Sequence, residues 1–332
     1  MSEPKYYLIS VSNKENLNLC VKYQLAGFPS STNGLWSYLD IDEGDYISFL
    51  YGARIKNLYK AEKKIAYKNA GKLPPWKPIT FKESGKTYSF PYRMKLRLVR
   101  EFDESIVRSE FAYVAEDLLL RGGYRKTHFQ ADAAMLSYVS SLGRSVEIST
   151  EQKIETPISD LDVEEFVPKI TFRKTQPQIG KEDYTVVKFN ENILQSLLKR
   201  TLSSLLNEIL IRCGSNKQPH EFEILSEKAL SKGFVDLFVK LKHPVERNQY
   251  ILIEAKNRVA SNKDLNQLNE YIDDFDKEGE LLCGILIAED FPKNLKTNTA
   301  KILKIKYSFD GLNQTEDYEY DQLVSMMRLE II

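Results

Sequence analysis

Apolar positions in the first half of the chain alternate more than they cycle. Tyr6 to Val11 is an apolar run of strand length, and Asp45 to Gly52 (DYISFLYG) is rich in residues that fit a pleated surface. Tyr92 to Phe102 (YRMKLRLVREF) alternates strictly, with Met94, Leu96 and Leu98 to one side and Arg93, Lys95 and Arg97 to the other. That pattern predicts a half-buried strand with a basic outer face. Helical spacing interrupts at Lys14 to Leu25, where Leu17, Val21 and Leu25 recur every fourth residue. Asn13 stands ahead as an N-cap, and Gly27 and Pro29 follow as stops. A second helix is predicted around Ala131 to Leu142, after a Gly122-Gly123 turn, and Pro74-Pro75 with Lys77-Pro78 bracket Trp76 in a loop.

The rhythm changes after residue 186. Asn192 to Arg212 (NILQSLLKRTLSSLLNEILIR) reads as one long helix with a wide Leu/Ile stripe. Strands follow at Glu221 to Leu225, Phe234 to Leu241 and Tyr250 to Ala255, then a polar helix over Asp264 to Phe275 and a strand over Leu281 to Ala288. Helix, strands, helix, strand suggests a mixed sheet covered on both sides. Residues 146–186 hold Pro157, Pro168 and Pro177 and no sustained period, which predicts a connector. With 332 residues, two domains are expected, over 1–145 and 187–332, with 146–186 as linker. The fold class is α+β and α/β.

Composition narrows the choice of function. At 42% hydrophobic and 28% charged the chain is ordinary for a soluble globular protein. Its apolar runs are too short to span a membrane, and its start lacks a basic-then-apolar signal pattern, so a cytoplasmic protein is expected. Cys20, Cys213 and Cys283 show neither C-x-x-C spacing nor a disulfide framework, which suits a reducing compartment. Three histidines leave little room for a zinc site or a histidine-based hydrolase. The net charge of zero is unevenly spread: residues 1–150 hold 22 Lys+Arg against 16 Asp+Glu, and residues 51–100 hold 14 against 2. Such a block suits a polyanion partner, although Lys-rich edges also keep strands soluble.

Asp236 follows a glycine in GFVDLFV, and Glu254 and Lys256 end the apolar strand YILIEAK. Residues i and i+2 of a strand share a face, so Glu254 and Lys256 project together, and a hairpin brings Asp236 beside them. Two carboxylates there form an oxygen-ligand site suited to Mg²⁺ or Mn²⁺, which polarises a phosphodiester and acidifies a bound water. The Lys256 ammonium is placed to orient that water or to stabilise phosphorane charge. A surface ion pair at a strand end is the plainer alternative.

The order G-x-x-D, an apolar strand ending E-x-K, then Gln267-x-x-x-Tyr271 resembles the PD-(D/E)xK nuclease superfamily, in its Q-x-x-x-Y branch of mismatch, flap and restriction-type endonucleases. The resemblance covers roughly residues 190–300 and includes the closing strand CGILIAEDF. It implies that Asp236 and Glu254 bind the metal and that Lys256 assists the attacking water. Gln267 and Tyr271, one helical turn apart, would face the site and the DNA backbone, and Glu208 would be the supporting helix glutamate.

The first 145 residues resemble the PUA-superfamily readers that include the EVE and YTH domains. The resemblance rests on YYLISVSNKENLNLCVKYQLAG, on Trp36 and DYISFLYG, on Trp76 after two prolines, and on YSFPYRMKLRLVRE. It implies a β-barrel with flanking helices that holds a flipped, modified base between aromatic walls. Ser12, Asn13, Trp36, Tyr51 and Trp76 are the base-pocket candidates, and Arg93, Lys95 and Arg97 a phosphate-tracking stripe. Ala26 stands where YTH proteins carry a cage tryptophan, and core packing is the alternative for both tryptophans. His128 reads as a hydrogen-bonded structural residue.

Together the two resemblances imply a modification-dependent DNA endonuclease of restriction type, acting as a homodimer or as two molecules per double-strand cut. Two alternatives stay open: a flap or mismatch repair endonuclease, and a non-catalytic nucleic-acid reader.

Overall fold

The computed structural model of the chain describes residues 3–52, 54–80, 85–103, 127–146, 163–173, 184–230, 233–244, 247–275, 279–295 and 301–332. They belong to two compact units, Met1–Pro168 with Gln178–Val187 and Lys169–Pro177 with Lys188–Ile332. The fold is mixed α/β, with a principal sheet in each unit.

In the first unit the main strands are β1 (Tyr6–Ser10), β2 (Leu25–Phe28), β3 (Tyr46–Tyr51), β4 (Arg54–Tyr67), β5 (Tyr92–Glu101) and β6 (His128–Ala131). They pair in the order β2-β5-β4-β3-β1-β6, with β1 and β3 parallel and the other neighbours antiparallel. Among the described residues this path makes a half-barrel sheet, with no pairing between β6 and β2. Helix α1 (Lys14–Tyr23) starts where its cap predicts, with the Asn16 amide donating to Asn13 Oδ1 at 2.7 Å. Helix α2 (Thr32–Asp40) was not read from the sequence. Gly34 in its first turn is required there, because a Cβ at that position would strike the Pro29 carbonyl. Helix α3 (Ala133–Ser140) packs on β1, while the Gly122-Gly123 turn lies outside the described residues.

Two expectations in this unit need correction. Arg93 does not join an outward basic stripe; it is 1% exposed. Its guanidinium donates to the carbonyls of Phe90, Pro74 and Leu73 at 3.0, 2.5 and 3.1 Å and lies over the Trp76 ring. Trp76, in turn, is not a loop side chain open to a base. It is buried against Gly27, where a Cβ would come within 2.5 Å of its ring, and beside Phe90. Five guanidinium donors can satisfy three carbonyls at once, so the arginine replaces water for a chain segment that cannot form a ladder.

In the second unit α4 (Glu191–Thr201) and α5 (Leu206–Arg212) precede a six-stranded sheet. Its strands are β7 (Phe222–Leu230), β8 (Gly233–Leu241), β9 (Gln249–Lys256), β10 (Glu280–Ala288), β11 (Ile302–Phe309) and β12 (Met327–Ile331), paired in chain order. The β9–β10 and β10–β11 pairs are parallel and the rest antiparallel. Ile251, Leu252 and Ile253 are consecutive and each fully buried, so both faces of the sheet are covered. Helix α6 (Asn262–Phe275) packs Leu265, Leu268 and Phe275 with Leu252, Leu286 and Ala288, and α7 (Tyr320–Met326) precedes the last strand.

The single long helix expected over 192–212 is broken by a 3₁₀ turn at Leu202–Ser204. Thr201 Oγ1 donates to the Leu197 carbonyl, Ser203 Oγ to that of Arg200 and Ser204 Oγ to that of Thr201. Three clustered hydroxyls compete for the carbonyls of the ladder, which is why the Leu/Ile stripe overstates the helix. The cysteines also depart from expectation, because Cys213 at the end of α5 and Cys283 on β10 form a disulfide and only the buried Cys20 is free. The argument from unpaired cysteines to a reducing compartment therefore falls away. Among the described residues no helix is long and apolar enough to cross a membrane.

Candidate functional site

The site forms where regular pairing of β8 gives out. The β8–β9 ladder ends at Leu237↔Ile253. On the other side, β7 pairs Ser226↔Leu237 and Lys228↔Val235 while Glu227 takes a left-handed φ of 44°. Asp236 falls in both gaps, and its carboxylate acts where the ladder does not: Oδ2 accepts from the Ala255 amide at 2.8 Å. Its other oxygen, Oδ1, accepts from Gln195 Nε2 on α4 at 2.7 Å.

Ala255 is flanked by the two residues of the E-x-K motif. Glu254 is 1% exposed, and Lys256 Nζ donates to its Oε1 at 2.7 Å. Glu254 Oε2 is buried without a hydrogen-bond partner among the described residues. Burial pushes Asp236 well above the ordinary carboxylate range, with the Glu254 charge adding to it. Burial likewise raises Glu254, against the pull of Lys256. Burial works against the Lys256 charge, yet the Glu254 and Asp236 carboxylates hold it above the usual lysine range. Two buried carboxylates resisting ionisation beside one ammonium are short of positive charge.

That shortage, with the orphaned Oε2, fits a divalent cation taking oxygen ligands from Asp236 and Glu254. Among the described residues no group of three or more His, Cys, Asp or Glu side chains is placed to hold a metal. Mg²⁺ commonly takes one or two carboxylates and completes its shell with water and substrate phosphate.

Helix α6 supplies the remaining predicted pair. Gln267 Nε2 donates to Tyr271 Oη at 2.8 Å, and Tyr271 is 4% exposed. The Tyr271 hydroxyl rests over Gly233, where a Cβ would come within 2.5 Å of it. The glycine of G-x-x-D is thus explained by packing. Gly233→Ala is expected to cost about 1–3 kcal/mol in urea unfolding, since neither strand nor helix can withdraw freely. Tyr271→Phe in the same chain should restore most of that loss; a loss unchanged by removing the hydroxyl would point to a different clash.

Glu208 is not part of the site. It lies on α5 beyond the helix break, half exposed and paired with Arg212 at 2.7 Å. The acid that serves α4 is Glu191, its first residue, whose charge acts on Asp236, Glu254 and Lys256. Glu191 and Gln195 went unread, although their i, i+4 spacing on a helix otherwise rich in leucine was a visible signal.

The base-pocket candidates are more dispersed. Trp36 is 4% exposed and meets His128 edge-on at 4.7 Å, its indole N–H buried without a partner among the described residues. His128 is held between Ser37 Oγ at 2.8 Å and Asp40 Oδ2 at 2.9 Å. Ser12 and Asn13 are exposed, Asn13 as the α1 cap, and Tyr51 is 38% exposed at the end of β3. Of the basic stripe, Lys95 and Arg97 are part-exposed, with Arg97 Nε donating to Glu62 at 2.9 Å.

No family model and no curated protein matches the sequence. Among solved structures, a similarity is found to MspJI restriction endonuclease in complex with a 27-mer oligonucleotide. The TM-score is 0.19 and the identity 10%, over 89% of this chain and 64% of that one. This chain thus spans less than two thirds of that enzyme, and a likeness this low carries no argument.

Proposed function

We propose that this chain is a modification-dependent DNA endonuclease whose second unit hydrolyses phosphodiesters with Mg²⁺ or Mn²⁺ held by Asp236 and Glu254. The observation that carries the reading is Glu254, a buried carboxylate with one oxygen on an ammonium and the other without a hydrogen-bond partner among the described residues. A fold gains nothing from such a group, whereas a cation site requires it. The order α4, β7, β8, β9, α6, β10 supports the PD-(D/E)xK reading, with Asp236 on the second strand and E-x-K closing the third.

When bound, the cation supplies the charge that polarises the phosphodiester and acidifies water. The residues do the rest. Asp236 and Glu254 provide oxygen ligands. Lys256 Nζ, oriented by Glu254, has further protons to donate to an attacking water or a phosphate oxygen. Gln267 fixes the Tyr271 hydroxyl, and Tyr271 seats α6 against the glycine that leads into Asp236. For the first unit, the basic block at 51–100 and the part-exposed Lys95 and Arg97 support a nucleic-acid grip, with Tyr51 as a base contact; Trp36 is buried like Trp76 and packs against His128. One site per chain cuts one strand, so a double-strand break takes two copies.

The test is cleavage by the full chain of plasmids matched except for N6-methyladenine, 5-methylcytosine or hydroxymethylcytosine. Cleavage of one modified plasmid, lost on chelation, is the expected result. Cutting governed by flaps or mismatches and indifferent to modification would make it a repair enzyme. No cleavage with any divalent metal would leave a binder.

A further inference from the structure

Gln195 sits in the wrong company for a glutamine. It is 5% exposed, on a helix whose Ile193, Leu194, Leu197 and Leu198 are fully buried. Burying a primary amide is unfavourable unless both its ends are paired, and this one is paired at one end only. Nε2 donates to Asp236 Oδ1 at 2.7 Å, while Oε1 is buried without a partner among the described residues. When ionised, as a cation ligand must be, the Asp236 carboxylate only accepts, and the amide then presents its NH₂ to it. Leucine or methionine would fill the same space at lower cost, and what either would lose is the bond to Asp236.

Asp236 needs that bond more than most aspartates do. It lies in the gap of the ladder on both sides of β8, so the backbone that carries it has no strand partner at this residue among the described residues. Its two oxygens are held from two different elements, Oδ1 by Gln195 of α4 and Oδ2 by the Ala255 amide of β9. Release of either donor frees the carboxylate to rotate. Gln195 also stands one turn after Glu191, on the helix face turned to the site.

We propose that Gln195 is a positioning residue that locks the Asp236 carboxylate in the rotamer a divalent cation requires. This rests on the metal-dependent nuclease reading above. Groups that orient metal ligands typically cost about 10–100-fold in affinity when removed.

The experiment uses the full chain with Gln195→Met, which keeps length and apolar packing but cannot donate. Three properties are compared with the unsubstituted protein: the Mn²⁺ dissociation constant, the Asp236 side-chain rotamer in metal-free protein by three-bond couplings, and the thermal unfolding midpoint. Mn²⁺ binding is expected to weaken about 10–100-fold, with Asp236 averaging between rotamers and the midpoint little changed. Cleavage by the variant should recover as Mn²⁺ is raised, so that the apparent metal constant moves and the limiting rate does not. A lowered midpoint with unchanged Mn²⁺ affinity and a single Asp236 rotamer would make Gln195 a packing residue and overturn the proposal. If the unsubstituted protein binds no Mn²⁺, it is the nuclease reading that fails. The rotamer measurement then decides alone: release of Asp236 supports the lock, and an unmoved Asp236 overturns it.

Discussion

Glu254→Gln is expected to reduce metal-dependent cleavage by at least about a thousandfold while leaving the protein folded. The size follows from the several kcal/mol that a cation contributes at a phosphoryl centre, each 1.36 kcal/mol being a factor of ten in rate. Glutamine keeps an oxygen for Lys256 Nζ but presents no anion to a cation. Glu254→Ala should behave differently, because it also removes the acceptor of a lysine that is only 8% exposed. An unpaired buried ammonium costs about 3–5 kcal/mol, so alanine should lower the unfolding midpoint markedly where glutamine does not. Single-turnover cleavage with thermal unfolding of the same preparations separates the two effects. Full activity in the folded glutamine variant would remove Glu254 from the chemistry.

What the sequence disclosed follows from how local each feature is. The E-x-K pair was legible because i and i+2 on a strand must share a face, and Lys256 does reach Glu254. The shared face of Gln267 and Tyr271 was legible for the parallel reason on a helix, and the bond between them was not foreseen. Features made by irregular backbone or distant neighbours were not. Strand β4 runs 14 residues, yet Asn57 has a φ of 54° and two register shifts against β5 scramble its period. Strict alternation placed Arg93 outside, whereas the carbonyls of the 73–74 segment draw it inside; no period-two rule foresees a partner some twenty residues away. Glu208 was read as the supporting helix glutamate on the expectation of one unbroken helix over 192–212. The hydroxyls at 201, 203 and 204 break it, and Glu191 and Gln195, before the break, serve the site. Cys213 and Cys283 are 70 residues apart, a separation that only the sheet closes.

Asp236→Asn is expected to abolish metal binding and, in the same protein, to raise metal-free stability at neutral pH. Asparagine keeps a carbonyl for the Ala255 amide, and a turn of the Gln195 amide offers its unpaired oxygen to the new NH₂, so the contacts survive. What disappears is a buried negative charge next to Glu254. The sign follows from linkage. Asp236 is raised in the folded protein, so between about pH 4, where it ionises unfolded, and its higher folded value the native state holds the extra proton. Stability must therefore fall as pH rises through that window, and Glu254, raised by burial, adds in the same direction. Lys256 is raised above the usual lysine range and its contribution is lost only in strong alkali, so it leaves the window untouched. The asparagine variant should flatten the slope and be the more stable of the two near pH 8. Mn²⁺ at a hundred times its dissociation constant should stabilise the unsubstituted protein by about 2.7 kcal/mol and the variant not at all. Urea unfolding at pH 5 and pH 8, with and without Mn²⁺, reads all of this. A variant less stable than its parent at pH 8, with the pH slope intact, would mean that Asp236 serves the fold rather than a cation.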